Sequence, residues 1–210
     1  MNARISDKPV VAVFDFDGTL THRDTLPRFL LHVLGYPALV RHSLALLPIL
    51  TGYGLGIIRN DVAKEKVLMR CLGGMNMNTL QQKGESFAVH ILPGLLRRNA
   101  MQRVAWHRQQ GHRCVIVSAS LDIYVRQWAT KAGFDAVIAT QLETQQNGRA
   151  TGRLYGANCF GIEKVKRLDR LLGNRQGYIV HAYGDSRGDK ELLEAADYAY
   201  YRSIPHQGSQ

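Results

Sequence analysis

Asp15-Phe-Asp-Gly-Thr-Leu20 sets two carboxylates two residues apart, directly after the β-branched run Val10–Phe14. Both acids can reach one site if the chain turns out of the strand there, and Gly18 allows such a turn. Paired carboxylates can hold a hard cation such as Mg²⁺. One of them can also attack phosphorus as a nucleophile. A capped loop would use the same residues. Three further groups carry similar chemistry. Val117-Ser118-Ala119-Ser120 offers a hydroxyl and backbone N–H groups ahead of a helix, an anion-binding corner or a plain serine cap. Gly161-Ile-Glu-Lys164 puts a lysine in a first helical turn, where the macrodipole disfavours it. A site that needs a fixed positive charge beside phosphate would explain it, and so would a solvated basic face, since Lys166 and Arg167 follow. Tyr183-Gly-Asp-Ser-Arg-Gly-Asp189 adds two acids beside glycines, as metal ligands or as a capped turn.

These residues need elements to hold them. Val10–Phe14, Cys114–Ser118, Ala136–Ala139, Tyr178–Tyr183 and Asp197–Tyr201 read as short strands, the first of them buried and parallel. Helical patterns lie between them at 95–110, 122–132, 161–172 and 189–195. The alternation predicts a doubly wound α/β sheet, with ligands bound beyond the carboxyl ends of its strands. Asp15, Ser118 and Asp185 all fall at such ends. Thr140–Thr144 and Arg149–Tyr155 flank Asn147-Gly148, a tight-turn signal for an antiparallel hairpin.

Residues 22–93 lack strand runs and read as helices inserted into a core made of 1–21 and 94–210. Within them, Thr25 to Asn60 contains no Asp or Glu. Leu44–Ile58 is apolar, interrupted by Pro48 and three glycines, and shorter than the roughly 20 apolar residues of a spanning helix. A buried helical hairpin is the plainer expectation; a surface that meets lipid, as substrate or as membrane, is the sharper one.

The chain has 210 residues, 45% of them hydrophobic and 21% charged, which excludes general disorder. Lys and Arg number 27 against 17 acids, for a net charge of +10. Such an excess can draw nucleic acid, anionic membrane or phosphorylated substrate, or simply keep a protein in solution. The basic residues are scattered, and no nucleic-acid-binding motif accompanies them, so no nucleic-acid partner is expected. Cys71, Cys114 and Cys159 form no C-x-x-C pair, which argues against zinc. With a polar, charged start at Met1–Pro9, a cytoplasmic location is the default, with peripheral membrane contact open.

Taken as a set and in this order, D-x-D-G-T, strand-Ser, helix-Lys and G-D-x-x-x-D resemble the haloacid dehalogenase superfamily over nearly the whole chain. The second acid, Asp17, is absent from its dehalogenases and present in its phosphatases. The resemblance implies a Rossmann-like parallel sheet with a helical type-one cap, Mg²⁺ as cofactor, and hydrolysis of a phosphomonoester through an aspartyl-phosphate. It makes Asp15 the nucleophile and Asp17 the acid/base. Ser118, Ala119, Lys164, Gly18 and Thr19 would hold phosphate, and Asp15, Asp17 (through its carbonyl) and Asp185 would hold metal. Asp189 and Ser186 would support them. Gly188 stands where related phosphoserine phosphatases carry Asn.

The run Thr151–Lys164 is similar to the phosphoserine-phosphatase-like branch and to phosphatidylglycerophosphatase C. Asp24 matches that branch's substrate-contacting Glu, and Lys66 is the best match for its carboxylate-clamping Arg, with a solvated helix face competing for both Lys64 and Lys66. Lys is a poor bidentate clamp, so a lipid phosphate or other small phosphorylated metabolite is favoured over phosphoserine. A phosphotransferase would use the same residues. A basic binding module without catalysis is the rival from another class, and it would not need the acid set.

Overall fold

The computed structural model describes residues 8–205. The expected core segments run to residues 1 and 210; their ends, 1–7 and 206–210, lie outside the described residues. Strand β1 (Val10–Phe14) is followed by four helices, α1 (Leu26–Leu34), α2 (Tyr36–Gly54), α3 (Asn60–Leu72) and α4 (Met77–His90). The chain continues through α5 (Arg98–Gln109), β2 (Arg113–Leu121), α6 (Asp122–Ala132) and β3 (Ala136–Thr140). Next come a hairpin, β4 (Leu142–Thr144) and β5 (Ala150–Leu154), then α7 (Ile162–Leu172), β6 (Ile179–Gly184), α8 (Lys190–Glu194) and β7 (Tyr198–Tyr201).

Five strands pair in parallel in the order β3-β2-β1-β6-β7. Strand order reverses around β1, which creates the crevice where open α/β sheets bind ligands. Side chains of β1 alternate between the two faces. Val11 and Val13 pack with Val165, Leu168 and Leu192 from α7 and α8. Ala12 and Phe14 join a second core that includes Val104 of α5, Val125 of α6 and the insertion's Phe29, Leu68 and Phe87. The inserted helices thus share a core with the sheet. An aromatic cluster fastens them: Phe29, Phe87 and Tyr124, from α1, α4 and α6, stand 4.8–5.5 Å apart. Burying each such ring contributes about 1.5–3 kcal/mol.

The hairpin is antiparallel, as Asn147-Gly148 predicts, and it leans on the insertion. Asn76 bridges to Arg149. Gly152 has φ +81°, and a Cβ there would lie 2.3 Å from the Met69 Cα, so only glycine lets β5 cross α3 this closely.

Leu44–Ile58 does not form the buried hairpin that was the plainer expectation. Leu44 to Gly54 belongs to one helix, α2, which runs through Pro48. Leu46 is its only buried residue, while Leu44, Leu47, Leu50 and Tyr53 are exposed. The returning helix, α3, leaves those four residues uncovered and carries Lys64, Glu65, Lys66 and Arg70 along its length. Among the described residues no helix is long and apolar enough to cross a membrane.

Candidate active site

A cleft of about 680 Å³ opens beyond the carboxyl ends of β1, β2 and β6. Its floor includes Asp15, Asp17, Gly18, Ser118, Ala119, Lys164 and Asp185. Asp15 is the first residue past β1, and its N–H still donates to the Tyr183 carbonyl at 2.9 Å, so the sheet itself orients it. Phe14 stacks on Tyr183 and Tyr183 on Tyr200, with centroids 4.6 and 4.5 Å apart, which stiffens the strands just before Asp15 and Asp185.

Lys164 explains its unfavourable helical position. Its side chain is 2% exposed, and Nζ donates to Asp15 Oδ1 and to Asp189 Oδ1, each at 2.5 Å. Burial alone would depress its pKa, but the two carboxylates outweigh burial and hold it well above the usual lysine range. Asp189 is fully buried, and its second oxygen accepts from the Ser186 N–H at 3.0 Å, the Ser186 hydroxyl at 2.8 Å and the Asp185 N–H at 3.2 Å. Those bonds and Lys164 overcome the upward push of burial and keep Asp189 below the ordinary carboxylate range. Asp15 shares the same lysine, yet burial, reinforced by Asp189, raises it to about 6.

Asp17 faces a different environment. Oδ1 accepts from the Thr25 N–H at 3.0 Å and the Thr25 hydroxyl at 2.7 Å, and Oδ2 accepts from the Ser120 hydroxyl. Burial, then the nearby Asp24 carboxylate, pushes it to about 7. Tyr124 stands behind, its hydroxyl 3.0 Å from the Thr25 hydroxyl. A carboxyl poised near neutrality can give and take a proton at physiological pH.

Carboxylate oxygens of Asp15, Asp185 and Asp189 lie within 4.8 Å of one another. The donors are all hard oxygens, with neither His nor Cys among them, which suits Mg²⁺ and not zinc. Asp189 is already committed to Lys164 and Ser186, so Asp15 and Asp185 are the pair left for a cation. Asp185 accepts from the Thr19 hydroxyl at 3.3 Å. Gly18, at φ +78°, lies against it: a Cβ there would sit 2.2 Å from Asp185 Oδ2.

The structure gathers Asp15, Asp17, Gly18, Ser118, Ala119, Lys164, Asp185 and Ser186 around one cleft. Thr19 and Asp189 act from behind it. Asp24 reaches only the rim, exposed, with one oxygen accepting the Leu26 N–H at 2.9 Å. The expectation for Lys66 is corrected: it is exposed and does not line the cleft. Residues two apart on a helix point about 200° away from each other, and it is Lys64 that enters. Its Nζ donates to the Ala119 carbonyl and, at 3.0 Å, to Asn158 Oδ1. Burial lowers it to about 8, against the pull of Asp17 and Asp24. Asn158 also accepts from Thr140 and donates to Asn60, so it fastens α3 to the core. Thr25, Ser120, Tyr124 and Asn158 complete the site without standing out as candidates in the sequence. Only Ser120 left a signal, as a second hydroxyl two residues past Ser118.

A family model described as haloacid dehalogenase-like hydrolase matches residues 12–194. Protein CicA of Caulobacter vibrioides is 35% identical over 202 residues, 96% of this chain and 90% of that one. A histidinol-phosphatase of Neisseria meningitidis serogroup C is 31% identical over 117 residues, 52% of this chain and 51% of that one. Among solved structures, a protein of unknown function from Bordetella pertussis superposes with a TM-score of 0.77 at 27% identity, over 90% of this chain and 87% of that one. With the fold and the matched span in agreement, the chain belongs to the haloacid dehalogenase-like hydrolase family.

Proposed function

We propose that this protein is a Mg²⁺-dependent phosphatase that works through an aspartyl-phosphate, with residues 22–93 as its cap, and that its substrate is a phosphomonoester with an apolar tail. The observation that carries the chemistry is the Lys164 ammonium clamped between Asp15 and Asp189 at 2.5 Å each, with Asp185 in the same oxygen cluster. An anionic carboxylate attacks an anionic phosphate only where positive charge offsets the repulsion. Mg²⁺ held by Asp15, Asp185 and the Asp17 carbonyl would supply part of that charge and favour the ionised form of Asp15. Lys164 supplies the rest, with Ser118 and the backbone at Gly18, Thr19 and Ala119 orienting the phosphoryl oxygens.

An Asp15 oxygen attacks phosphorus and the bond to the leaving oxygen breaks. Protonated Asp17 gives its proton to that oxygen. Asp17 then takes a proton from water, the hydroxide attacks the same phosphorus, and the phosphorus–Asp15 bond breaks. Asp15 returns as carboxylate and phosphate leaves. Thr25 and Ser120 hold Asp17 in place for both transfers.

An apolar tail suits the same cleft, which Leu26, Leu30, Leu39, Leu46, Leu50 and Val67 line together with the acids. Phosphoserine is disfavoured because Lys64 already spends donors on Ala119 and Asn158. The test is phosphate release with Mg²⁺ from p-nitrophenyl phosphate, phosphoserine and lysophosphatidate micelles, with Asp15→Asn as control. Turnover that vanishes in Asp15→Asn, with lysophosphatidate preferred, supports the reading. Equal release by wild type and variant overturns the chemistry. Ready hydrolysis of soluble esters without the micellar one overturns the tail. Transfer of phosphate to an added alcohol in preference to water would make the enzyme a phosphotransferase.

A further inference from the structure

Helix α2 leaves an apolar face uncovered. Tyr36, Val40, Leu44 and Leu47 recur every three or four residues and so form one stripe. They are 73%, 41%, 61% and 53% exposed. Leu55 and Ile57 extend the surface past the helix end, at 70% and 77%. Leu46 and Leu50 of the same helix line the cleft that holds Asp15, so one helix carries both the outer stripe and part of the cleft wall. Monomers rarely expose apolar surface so concentrated on one element unless something binds it.

The charge around the stripe selects the partner. From Thr25 to Asn60 there is no acid, while Arg28 and Arg41 are exposed and Arg59 follows. Arg59 is bonded to Asp61 at 2.8 Å, which leaves Arg41 on the stripe's own helix and Arg28 on the neighbouring α1. A second copy of the chain would set two basic, acid-free faces against each other, each chain carrying a net +10. A surface with an apolar interior and anionic headgroups matches both features at once.

We infer that α2 and the loop after it dock on the surface of an anionic lipid bilayer, lying in the interface plane, and that the cleft takes its substrate from there. The second half rests on the tailed phosphomonoester reading above. The stripe would sit among the acyl chains, Arg28 and Arg41 among the headgroups, and a phosphorylated headgroup would pass Leu46 and Leu50 on its way to Asp15.

The test is co-sedimentation of the full chain with vesicles of phosphatidylcholine alone and of phosphatidylcholine with phosphatidylglycerol. Wild type, the double variant Leu44→Glu/Leu47→Glu and Arg41→Glu are compared. Neither leucine lines the cleft, so turnover of p-nitrophenyl phosphate and the circular dichroism should be unchanged in the double variant. Wild type is expected to pellet with the phosphatidylglycerol vesicles at least tenfold more strongly than with neutral ones. The double variant should lose at least tenfold of that binding, and Arg41→Glu should lose the preference for anionic lipid. Wild type left in the supernatant with anionic vesicles overturns the inference, as does a double variant that binds equally well. So does a wild-type dimer that Leu44→Glu/Leu47→Glu splits and that vesicles leave intact. Hydrolysis of soluble and micellar phosphomonoesters without vesicle binding sinks docking alone. Vesicle binding without any phosphatase activity sinks the chemistry alone.

Discussion

Replacing Gly18 by alanine separates backbone strain from damage to the site. Gly18 has φ +78°, which costs an L residue about 1–2 kcal/mol. The added Cβ would also meet Asp185 Oδ2 at 2.2 Å and Oδ1 at 2.8 Å. Ordinary contact begins near 3.4 Å, so the carboxylate must retreat by about 1.2 Å or the loop must shift. A displacement of about 1 Å in a positioned group can cost about 100-fold in rate. Gly111, in the turn between α5 and β2, has φ +75° with nothing within 4 Å of its Cβ position. Gly111→Ala therefore pays the backbone cost alone. Both variants should lose about 2–8 °C in melting temperature. Only Gly18→Ala should lose about 100-fold in kcat/KM on p-nitrophenyl phosphate and need more Mg²⁺ for half-maximal rate. If Gly18→Ala keeps kcat/KM and its Mg²⁺ requirement within twofold of wild type, Asp185 is not the cation-facing ligand and the argument fails. Equal activity loss in Gly111→Ala would show that backbone strain, and not the collision, governs the effect.

Other perturbations read single parts of the site. Asp17 has a folded pKa of about 7 against 3.8 unfolded, so without Mg²⁺ its contribution to stability is full below about pH 4 and is lost as pH rises through 7. Asp17→Asn should flatten that slope and raise the melting temperature at pH 8 while abolishing turnover; an unchanged slope in thermal scans from pH 4 to 8 would contradict the burial argument. Lys64→Met removes the ammonium that bonds Ala119 and Asn158 and should lower kcat/KM by about tenfold, whereas Lys66→Met should stay within twofold, and steady-state kinetics distinguish them. Chelation should abolish phosphate release, with return on adding Mg²⁺; release that continues after dialysis against chelator would exclude a divalent requirement.

What the sequence reveals follows from how local each cause is. The β-branched runs, Asn147-Gly148 and the acids at strand ends declare themselves in short windows, and they delivered the parallel sheet, the hairpin and the floor of the cleft. Lys164 was legible because its helical position is unfavourable without a nearby anion, and the structure supplies two. The cap was harder. Lys64 and Lys66 lie on one helix, and choosing between them requires the rotation of α3 about its axis, which tertiary packing sets. The same holds for α2. An apolar run reads as buried when only its composition is visible, and its exposure depends on which of its faces α1 and α3 pack against.

Four aspartates in one small site behave differently, and their surroundings account for it. Asp189 is fully buried yet held below the carboxylate range, because an ammonium and three donors from the 185–186 segment stabilise its charge. Asp15 has the same ammonium without those donors, and burial takes it to about 6. Asp185, half-buried, sits above its ordinary value through burial first and then the charge on Asp189. Asp17 has hydroxyls and one backbone N–H but no cation in contact, and it rises to about 7. Environments that spread identical groups along the pH scale assign acid and base roles without any change of residue type. The same differences fit the division of labour proposed above. The group with the most donors, Asp189, anchors Lys164. Asp15 and Asp185, both raised, would face the cation of the proposed mechanism, which would favour their ionised forms. Asp17, raised to about 7 with no cation in contact, would carry the proton that the leaving alkoxide of the proposed mechanism needs.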